Sequence, residues 1–156
     1  MLSIADDAAI VSAAALILGA IFVLIELRHM QKVRNVEISM KLFEWAQTER
    51  LLKAFRYIDN EFRFEDYQKY KKRKGSFEVA DYLQEAAGFF EQVGFLVEKK
   101  FVDLDVIDDR LGSHIISSWK KLGPWIMAVR NQGGDKNFGE HFQKLYERTT
   151  KYMRER

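Results

Sequence analysis

Four aspartates lie close together in the second half of the chain, and grouped carboxylates are the ligands that a calcium loop requires. They are Asp103, Asp105, Asp108 and Asp109. An EF-hand loop also needs glycine at its sixth position and glutamate at its twelfth. Counted from Asp103, those positions hold Asp108 and His114. We therefore interpret the aspartates as helix-capping and solvated groups, not as a metal site.

Other patterns that could support catalysis are incomplete. Gly134 and Gly139 have the spacing of a phosphate loop, but Glu140-His141 replaces the Lys-Ser/Thr that must follow. His29, His114 and His141 do not occur in the His-Glu-x-x-His or Glu-x-x-His spacing of metal sites. The chain has no cysteine, which excludes thiol catalysis, disulfides and cysteine-ligated metals. It also has no serine-centred nucleophile elbow. The sequence thus predicts a non-enzyme with no cofactor and no metal.

A basic run in the middle of the chain is a candidate contact surface. It consists of Lys69, Lys71, Lys72, Arg73 and Lys74. Such a run can contact anionic lipid or an acidic partner, and it can equally be a solvated loop. Nucleic acid is not expected as a partner, because the overall positive charge is modest.

One pair of opposite charges lies on segments with helical patterning. Glu91 lies beside an apolar stripe, and Arg130 ends another. If the two helices pair, these residues could form a buried ion pair. The alternative is two separate solvated charges, and sequence does not fix the geometry that would decide between them.

The longest uncharged segment comprises residues 8–25, close to the N-terminus. A helix of that length is about 27 Å long, close to the roughly 30 Å apolar thickness of a bilayer. A cleaved signal would need a positive n-region and a cleavage site after the apolar run, and neither is present. A core helix of a soluble protein would show a polar face, but Ser12 is the only polar side chain here. A transmembrane helix is therefore predicted.

The flanking charges predict the orientation of this helix. All 25 Lys and Arg residues follow the apolar segment, beginning with Arg28. Positively charged flanks stay on the cytoplasmic side. We expect an N-terminus and transmembrane helix in residues 1–27, with the N-terminus outside. Residues 28–156 are then a cytoplasmic helical domain beneath the cell membrane.

Small residues form a stripe along the predicted transmembrane helix. Ala8, Ser12, Ala15 and Gly19 follow steps of four, three and four, and therefore share one face. Small residues allow two helix backbones to approach closely in lipid. The stripe predicts a contact with another membrane helix, from a second copy or a different protein.

The remainder of the chain is patterned as helix, so we predict an all-α protein. The transmembrane helix is expected to continue as a cytoplasmic helix to about Asp59, followed by three to four further helices. Their apolar positions recur at steps of three and four. Gly88 and Gly94 are expected to mark close helix contacts, and Pro124 is expected to kink or divide its helix. Helix starts are expected near Ser76, Asp103, Ser113 and Phe138.

Several of these residues resemble the pattern of an uncharacterised prokaryotic family. The similarity extends over roughly residues 36–146. It rests on Phe89-Phe90-Glu91, Gly94, Leu96-Val97, Phe101, Asp103, Leu111-Gly112, Trp119, Pro124 and Arg130. The resemblance implies a small protein with one N-terminal transmembrane helix and a helical cytoplasmic part. The family is a domain of unknown function, so it implies no active site.

Two classes of function fit these features. The first is a non-catalytic accessory or scaffold subunit of a larger integral-membrane complex, such as a respiratory, photosynthetic or oxygenase-type complex. Other membrane-protein subunits would then be its partners. The second is a free membrane-anchored sensor or adaptor that binds a cytoplasmic ligand or protein through the basic run.

Overall fold

The computed structural model describes residues 4–65, 72, 76–132 and 135–156, and all of the extended regular structure in these ranges is α-helical. Five helices follow one another along the described chain. They are α1 (Ile4–Ala46), α2 (Glu49–Asn60), α3 (Ser76–Glu98), α4 (Leu104–Asn131) and α5 (Glu140–Glu155). The predicted all-α fold is confirmed.

The chain divides into two compact units, Met1–Glu37 and Ile38–Arg156. The first unit is the apolar part of α1, a single helix whose large side chains are exposed. The second unit, which we call the bundle, contains the end of α1 and helices α2 to α5. The proposed division of the chain at residues 27 and 28 stays a prediction.

The apolar helix does continue without a break beyond the apolar segment, as predicted, because α1 extends from Ile4 to Ala46. Its predicted end near Asp59 is wrong, because α2 begins separately at Glu49. Thr48 is extended, with φ −62° and ψ 143°, and its hydroxyl donates a 2.8 Å hydrogen bond to the Trp45 carbonyl. Threonine can end a helix in this way because its side chain bonds to nearby backbone groups. The interruption therefore needs neither glycine nor proline.

The core of the bundle is rich in aromatic side chains from several helices. Phe89 and Phe90 of α3 and Phe142 of α5 are fully buried. The Phe90 and Phe142 rings stack at 4.7 Å between centroids, and Trp119 of α4 meets Phe142 edge-on at 5.0 Å. Trp45, at the end of α1, meets Phe89 edge-on at 5.1 Å. The bundle is thus stabilised by large apolar surfaces that its own helices cover.

Helix α4 is one continuous element from Leu104 to Asn131. Two helices were predicted here, with a kink or a division at Pro124; the separate helices and the division are wrong. Pro124 is exposed, and so is Lys120, whose carbonyl loses its helical donor. Water can satisfy that carbonyl at an exposed position, so the helix continues. Gly112 does not mark a helix start, because it lies buried within α4 beside the Asp108 side chain.

Helices α3 and α5 approach closely at Gly94. A Cβ atom at this position would collide with the backbone carbonyl of His141. The prediction that Gly94 marks a close helix contact is confirmed. The same prediction for Gly88 is wrong, because a Cβ there would meet no atom within 4 Å among the described residues. Gly139 precedes α5 with a left-handed φ of 73°, which glycine adopts at little cost.

Candidate functional site

Helix α1 is the most exposed apolar surface of the described chain. Leu16, Leu18 and Phe22 are 76%, 67% and 67% exposed. In the described residues this is the one helix long and apolar enough to cross a membrane, and none of its apolar window is buried. Length and composition therefore identify one candidate transmembrane helix near the N-terminus.

The small-residue stripe predicted on this helix lies on an open surface. Ala8, Ser12, Ala15 and Gly19 are exposed, and no described atom would lie within 4 Å of a Cβ at Gly19. The Ser12 hydroxyl donates a 2.9 Å hydrogen bond to the Ala8 carbonyl. The one polar side chain of the apolar segment is thereby satisfied within its own helix, as a lipid environment requires.

The basic run falls almost wholly outside the described residues. Lys72 is described and is exposed. Lys69, Lys71, Arg73 and Lys74 lie outside the described part of the chain. Their contact with lipid or an acidic partner stays a prediction.

The structure brings Glu91 and Arg130 to the same end of α5 but gives them separate partners. Glu91 accepts hydrogen bonds from the backbone N–H groups of His141 and Phe142, at 3.2 Å and 2.8 Å. Arg130 donates to the Phe138 carbonyl at 2.7 Å and to Gln143 Oε1 at 2.9 Å.

The predicted Glu91–Arg130 ion pair is therefore replaced by two links to the start of α5. The physical reason is that the first N–H groups of a helix lack partners within the helix and carry its positive dipole end. The Glu91 carboxylate on α3 accepts hydrogen bonds from two of these N–H groups. Arg130 on α4 donates a hydrogen bond to the Phe138 carbonyl in the turn before α5. Sequence analysis identified both residues but not these partners.

The aspartate cluster around the start of α4 does not form a metal site. The described residues contain no group of three His, Asp or Glu side chains that could hold a metal ion. Asp103 is the N-cap residue of α4, and Asp109 pairs with Arg156 at 3.0 Å. Asp108 differs from the others, because it is 7% exposed and its Oδ1 atom has no hydrogen-bond partner. Burial raises the pKa of Asp108 above its ordinary value.

His141 joins a charged network at the surface between α3 and α5. Its Nδ1 atom lies 3.0 Å from Glu98 Oε2, and Lys144 lies 3.4 Å from the same oxygen. The hydrogen bond with His141 and the nearby Lys144 charge hold the pKa of Glu98 below its usual range. Lys144 also pairs with Glu140 at 2.7 Å. These groups lie on the partly exposed rim of the α3–α5 contact and link the two helices there.

An open groove lies within the bundle, where the end of α1, α2 and α4 meet. Its volume is about 350 Å³. The side chains that define its character are Phe43, Leu52, Phe55, Arg56, Arg110 and His114. We call this feature the α1–α2–α4 groove. Pockets for small molecules commonly have volumes from about 300 to 1,000 Å³ and mostly apolar walls with a few polar groups.

The aromatic side chains of the groove are held by contacts within the bundle. The His114 ring stacks on Phe55 with 6.3 Å between centroids. The Arg110 guanidinium lies 5.9 Å from the centroid of Phe43. Phe55 also packs against Phe90 of the core at 5.5 Å. The groove wall is therefore continuous with the packed core behind it.

Sequence analysis missed this groove because its residues come from three helices. Leu52 and Phe55 lie in the segment that was predicted to continue from the apolar helix as a single helix to about Asp59. The helix break at Thr48 changes which residues of α2 face the core. Leu51, Ala54 and Ile58 form the buried face of α2, and Leu52 is 39% exposed at the groove. A predicted break at Thr48 would have moved Leu52 to the surface.

The family of the domain of unknown function DUF4760 matches residues 9–149. The match covers most of the chain, from the apolar helix to the middle of α5, so the chain belongs to this family. No curated protein and no solved structure matches it. The predicted membership of a family of unknown function is confirmed.

Proposed function

We propose that this chain is a non-catalytic accessory or scaffold subunit of a larger integral-membrane complex in a prokaryotic cell. The observation that supports this function most directly is the exposure of α1. Its large apolar side chains, such as Leu16 and Phe22, are not covered by the described residues. Lipid and neighbouring membrane helices would cover them in a cell.

The proposed orientation places the N-terminus outside and the bundle in the cytoplasm. It is supported by the basic residues that begin at Arg28, directly after the apolar segment, and by the lack of any Lys or Arg before it. The cell membrane is the proposed location, with one crossing. The bundle would then contact other subunits, or anionic lipid, from the cytoplasmic side.

The proposed partner contact in the membrane is the small-residue stripe. Gly19 would lie where a neighbouring helix comes closest, because its missing side chain leaves the backbone accessible. Leu24 and Ile17 lie off the stripe and would face lipid. A partner helix on the stripe would gain close dispersion contacts, which drive association where hydrophobicity cannot.

Native mass spectrometry after mild extraction tests this function. We expect the chain to co-purify in a large complex, and Gly19→Leu to reduce that association while the protein stays in the membrane. Ile17→Ala and Leu24→Ala are the matched controls and should have smaller effects. Full association of the Gly19→Leu protein, with release by the control changes, would show that the stripe is the wrong face.

A second function is favoured by the α1–α2–α4 groove. A free membrane-anchored sensor or adaptor needs a site for a ligand, and the groove has a suitable size. This function predicts a monomer or homodimer in the same mass spectra. The experiment therefore separates the two proposals.

A further inference from the structure

We propose that the α1–α2–α4 groove binds a small anionic amphiphile, a molecule with an apolar body and one phosphate or carboxylate group. This inference concerns the bundle alone and does not depend on the accessory-subunit function. It rests on three properties of the groove: its apolar wall, two arginines that form no ion pair with a described residue, and one aspartate whose carboxylate is paired with a lysine.

The apolar wall provides the site for the body of the ligand. Phe43 and Phe55 are partly exposed in the groove, and Leu52 is 39% exposed. Leu111 and Ala46 complete the apolar lining. The exposed leucine in this wall loses contact with water when an apolar group covers it, which favours binding.

Two arginines provide the site for the anionic group. Arg56 of α2 and Arg110 of α4 both line the groove, and neither forms an ion pair with any described residue. Arg110 is held over the Phe43 ring, so its guanidinium is positioned without a carboxylate partner. Guanidinium groups bind phosphate and carboxylate through paired, charge-assisted hydrogen bonds.

The one acidic residue of the groove does not cancel this positive charge. Asp59 lines the groove, but its carboxylate lies 2.6 Å from the Lys121 ammonium. Lys121 also donates a 3.1 Å hydrogen bond to the Asp59 carbonyl. With this acid paired to a lysine, Arg56 and Arg110 give the groove a net positive charge. An anionic ligand therefore complements it, and a cationic ligand does not.

The lining is less suited to a nucleotide. The edge of a base carries several donors and acceptors, and leaving them unpaired on binding costs free energy. Apart from Arg56, Asp59 and Arg110, the groove side chains with hydrogen-bonding groups are Gln47 and His114, and apolar groups dominate the wall. The His114 ring is already stacked on Phe55. An aliphatic or aromatic body without polar edges fits this lining better.

Calorimetric titration of the full chain in nanodiscs of neutral phosphatidylcholine tests the proposal. The probes are 1-naphthyl phosphate, 1-naphthoate, inorganic phosphate and AMP, and empty nanodiscs correct for partition into lipid. Saturable binding of either naphthyl probe supports the proposal, and the tighter of the two identifies the anionic group. Inorganic phosphate should bind at least tenfold more weakly, because it lacks the apolar body. Equal binding of inorganic phosphate, or tighter binding of AMP, would overturn it.

Substitutions locate the bound probe. Arg110→Gln and Arg56→Gln should each weaken binding about tenfold, as loss of a charge-assisted hydrogen bond does. Leu52→Gln should weaken it severalfold through the apolar wall. Arg148→Gln is the matched control, since Arg148 is exposed on α5 and does not line the groove. An equal loss of affinity in the Arg148→Gln protein would mean that the probe binds by overall charge, and would refute the site. All four side chains are exposed, so the variants are expected to fold normally, which circular dichroism checks.

Discussion

The apolar part of α1 and the bundle use the same kinds of side chain in opposite ways. Phe22 of α1 is 67% exposed, whereas Phe142 of α5 is fully buried between rings of α3 and α4. In the bundle, aromatic side chains of one helix are buried by side chains of the neighbouring helices. The apolar helix has no such cover among the described residues. Similar apolar side chains are therefore buried in one region and exposed in the other, and the presence of neighbouring helices decides which.

Truncation of one phenylalanine in each region should show the largest difference in the free energy of unfolding. Phe142→Ala should lower the free energy of unfolding of the bundle by about 3–5 kcal/mol, because it leaves a cavity against Phe90 and Trp119. Phe22→Ala should change it by less than about 0.5 kcal/mol. Thermal unfolding of the full chain in nanodiscs, followed by tryptophan fluorescence, measures both. A similar loss in the two proteins would mean that Phe22 is also part of a packed core.

Glycine substitutions sharpen the comparison at the level of the backbone. Gly94→Ala should destabilise the bundle by about 2 kcal/mol, because the new Cβ meets the His141 carbonyl and forces α3 and α5 apart. Gly88→Ala, in the same helix but in open space, should stabilise it by about 1 kcal/mol. Denaturant titration gives both values. If Gly94→Ala were as stable as Gly88→Ala, the close α3–α5 contact would be wrong.

Glu91 tests whether polar groups, as well as rings, link α3 to α5. Glu91→Gln keeps the shape but removes the charge that receives two α5 N–H groups. We expect a loss of about 1–2 kcal/mol in the free energy of unfolding. Glu155→Gln is the control, because Glu155 is exposed at the other end of α5 and its ion pair with Lys151 lies on the surface. Equal, small effects would show that the α5 amides do not depend on Glu91.

Substitution of Asp108 should give the smallest change in the free energy of unfolding, and the size of that change depends on pH. Burial raises the folded-state pKa of this carboxyl above its ordinary value of 3.8, with Arg156 opposing the shift. The folded state therefore holds the proton more readily than the unfolded state. The free energy of unfolding therefore increases as pH falls through the folded-state pKa of Asp108. Above that pKa, the full cost of burying the charged carboxylate is present.

Asp108→Asn is accordingly expected to raise the free energy of unfolding by about 1 kcal/mol at pH 7, because it removes a buried charge with an unpaired oxygen. The gain should shrink as pH falls through the raised folded-state pKa, because the native carboxyl then becomes protonated. Asp109→Asn is the control, since that exposed carboxylate pairs with Arg156 and should give no gain. A gain that stayed constant from pH 7 to pH 4 would contradict the assigned pKa shift.

The sequence predicted the helices better than the places where they meet. On α3, the steps of three and four pick out Val79, Leu83, Ala86, Phe90, Val93 and Val97. The last five are buried, and Val79 is partly buried. Periodicity succeeds there because α3 packs along most of its length. Periodicity did not predict the end of α1 near Thr48, where a side-chain hydrogen bond to the Trp45 carbonyl accompanies the break. It also did not predict that α4 continues through the exposed Pro124.

Candidate site residues were predictable where one helix carries them and not where several do. The small-residue stripe is a property of α1 alone, so its four positions share a face as expected. Glu91 was identified, but its partners depend on where α5 begins, and that depends on the left-handed Gly139. The α1–α2–α4 groove needs three helices in fixed positions, and no sequence pattern contains that information.

Labelling of single cysteines tests the central claim, that α1 crosses the membrane and leaves the bundle inside. The chain has no cysteine, so each introduced thiol reports without background. Ser3→Cys, Val23→Cys and Ser113→Cys sample the N-terminus, the apolar helix and the exposed surface of α4. A membrane-impermeant maleimide applied to spheroplasts should label Cys at position 3 at once. It should reach position 113 only after permeabilisation, and position 23 only after detergent extraction. Labelling of position 113 in sealed spheroplasts would reverse the orientation, and labelling of position 23 there would refute the transmembrane helix itself.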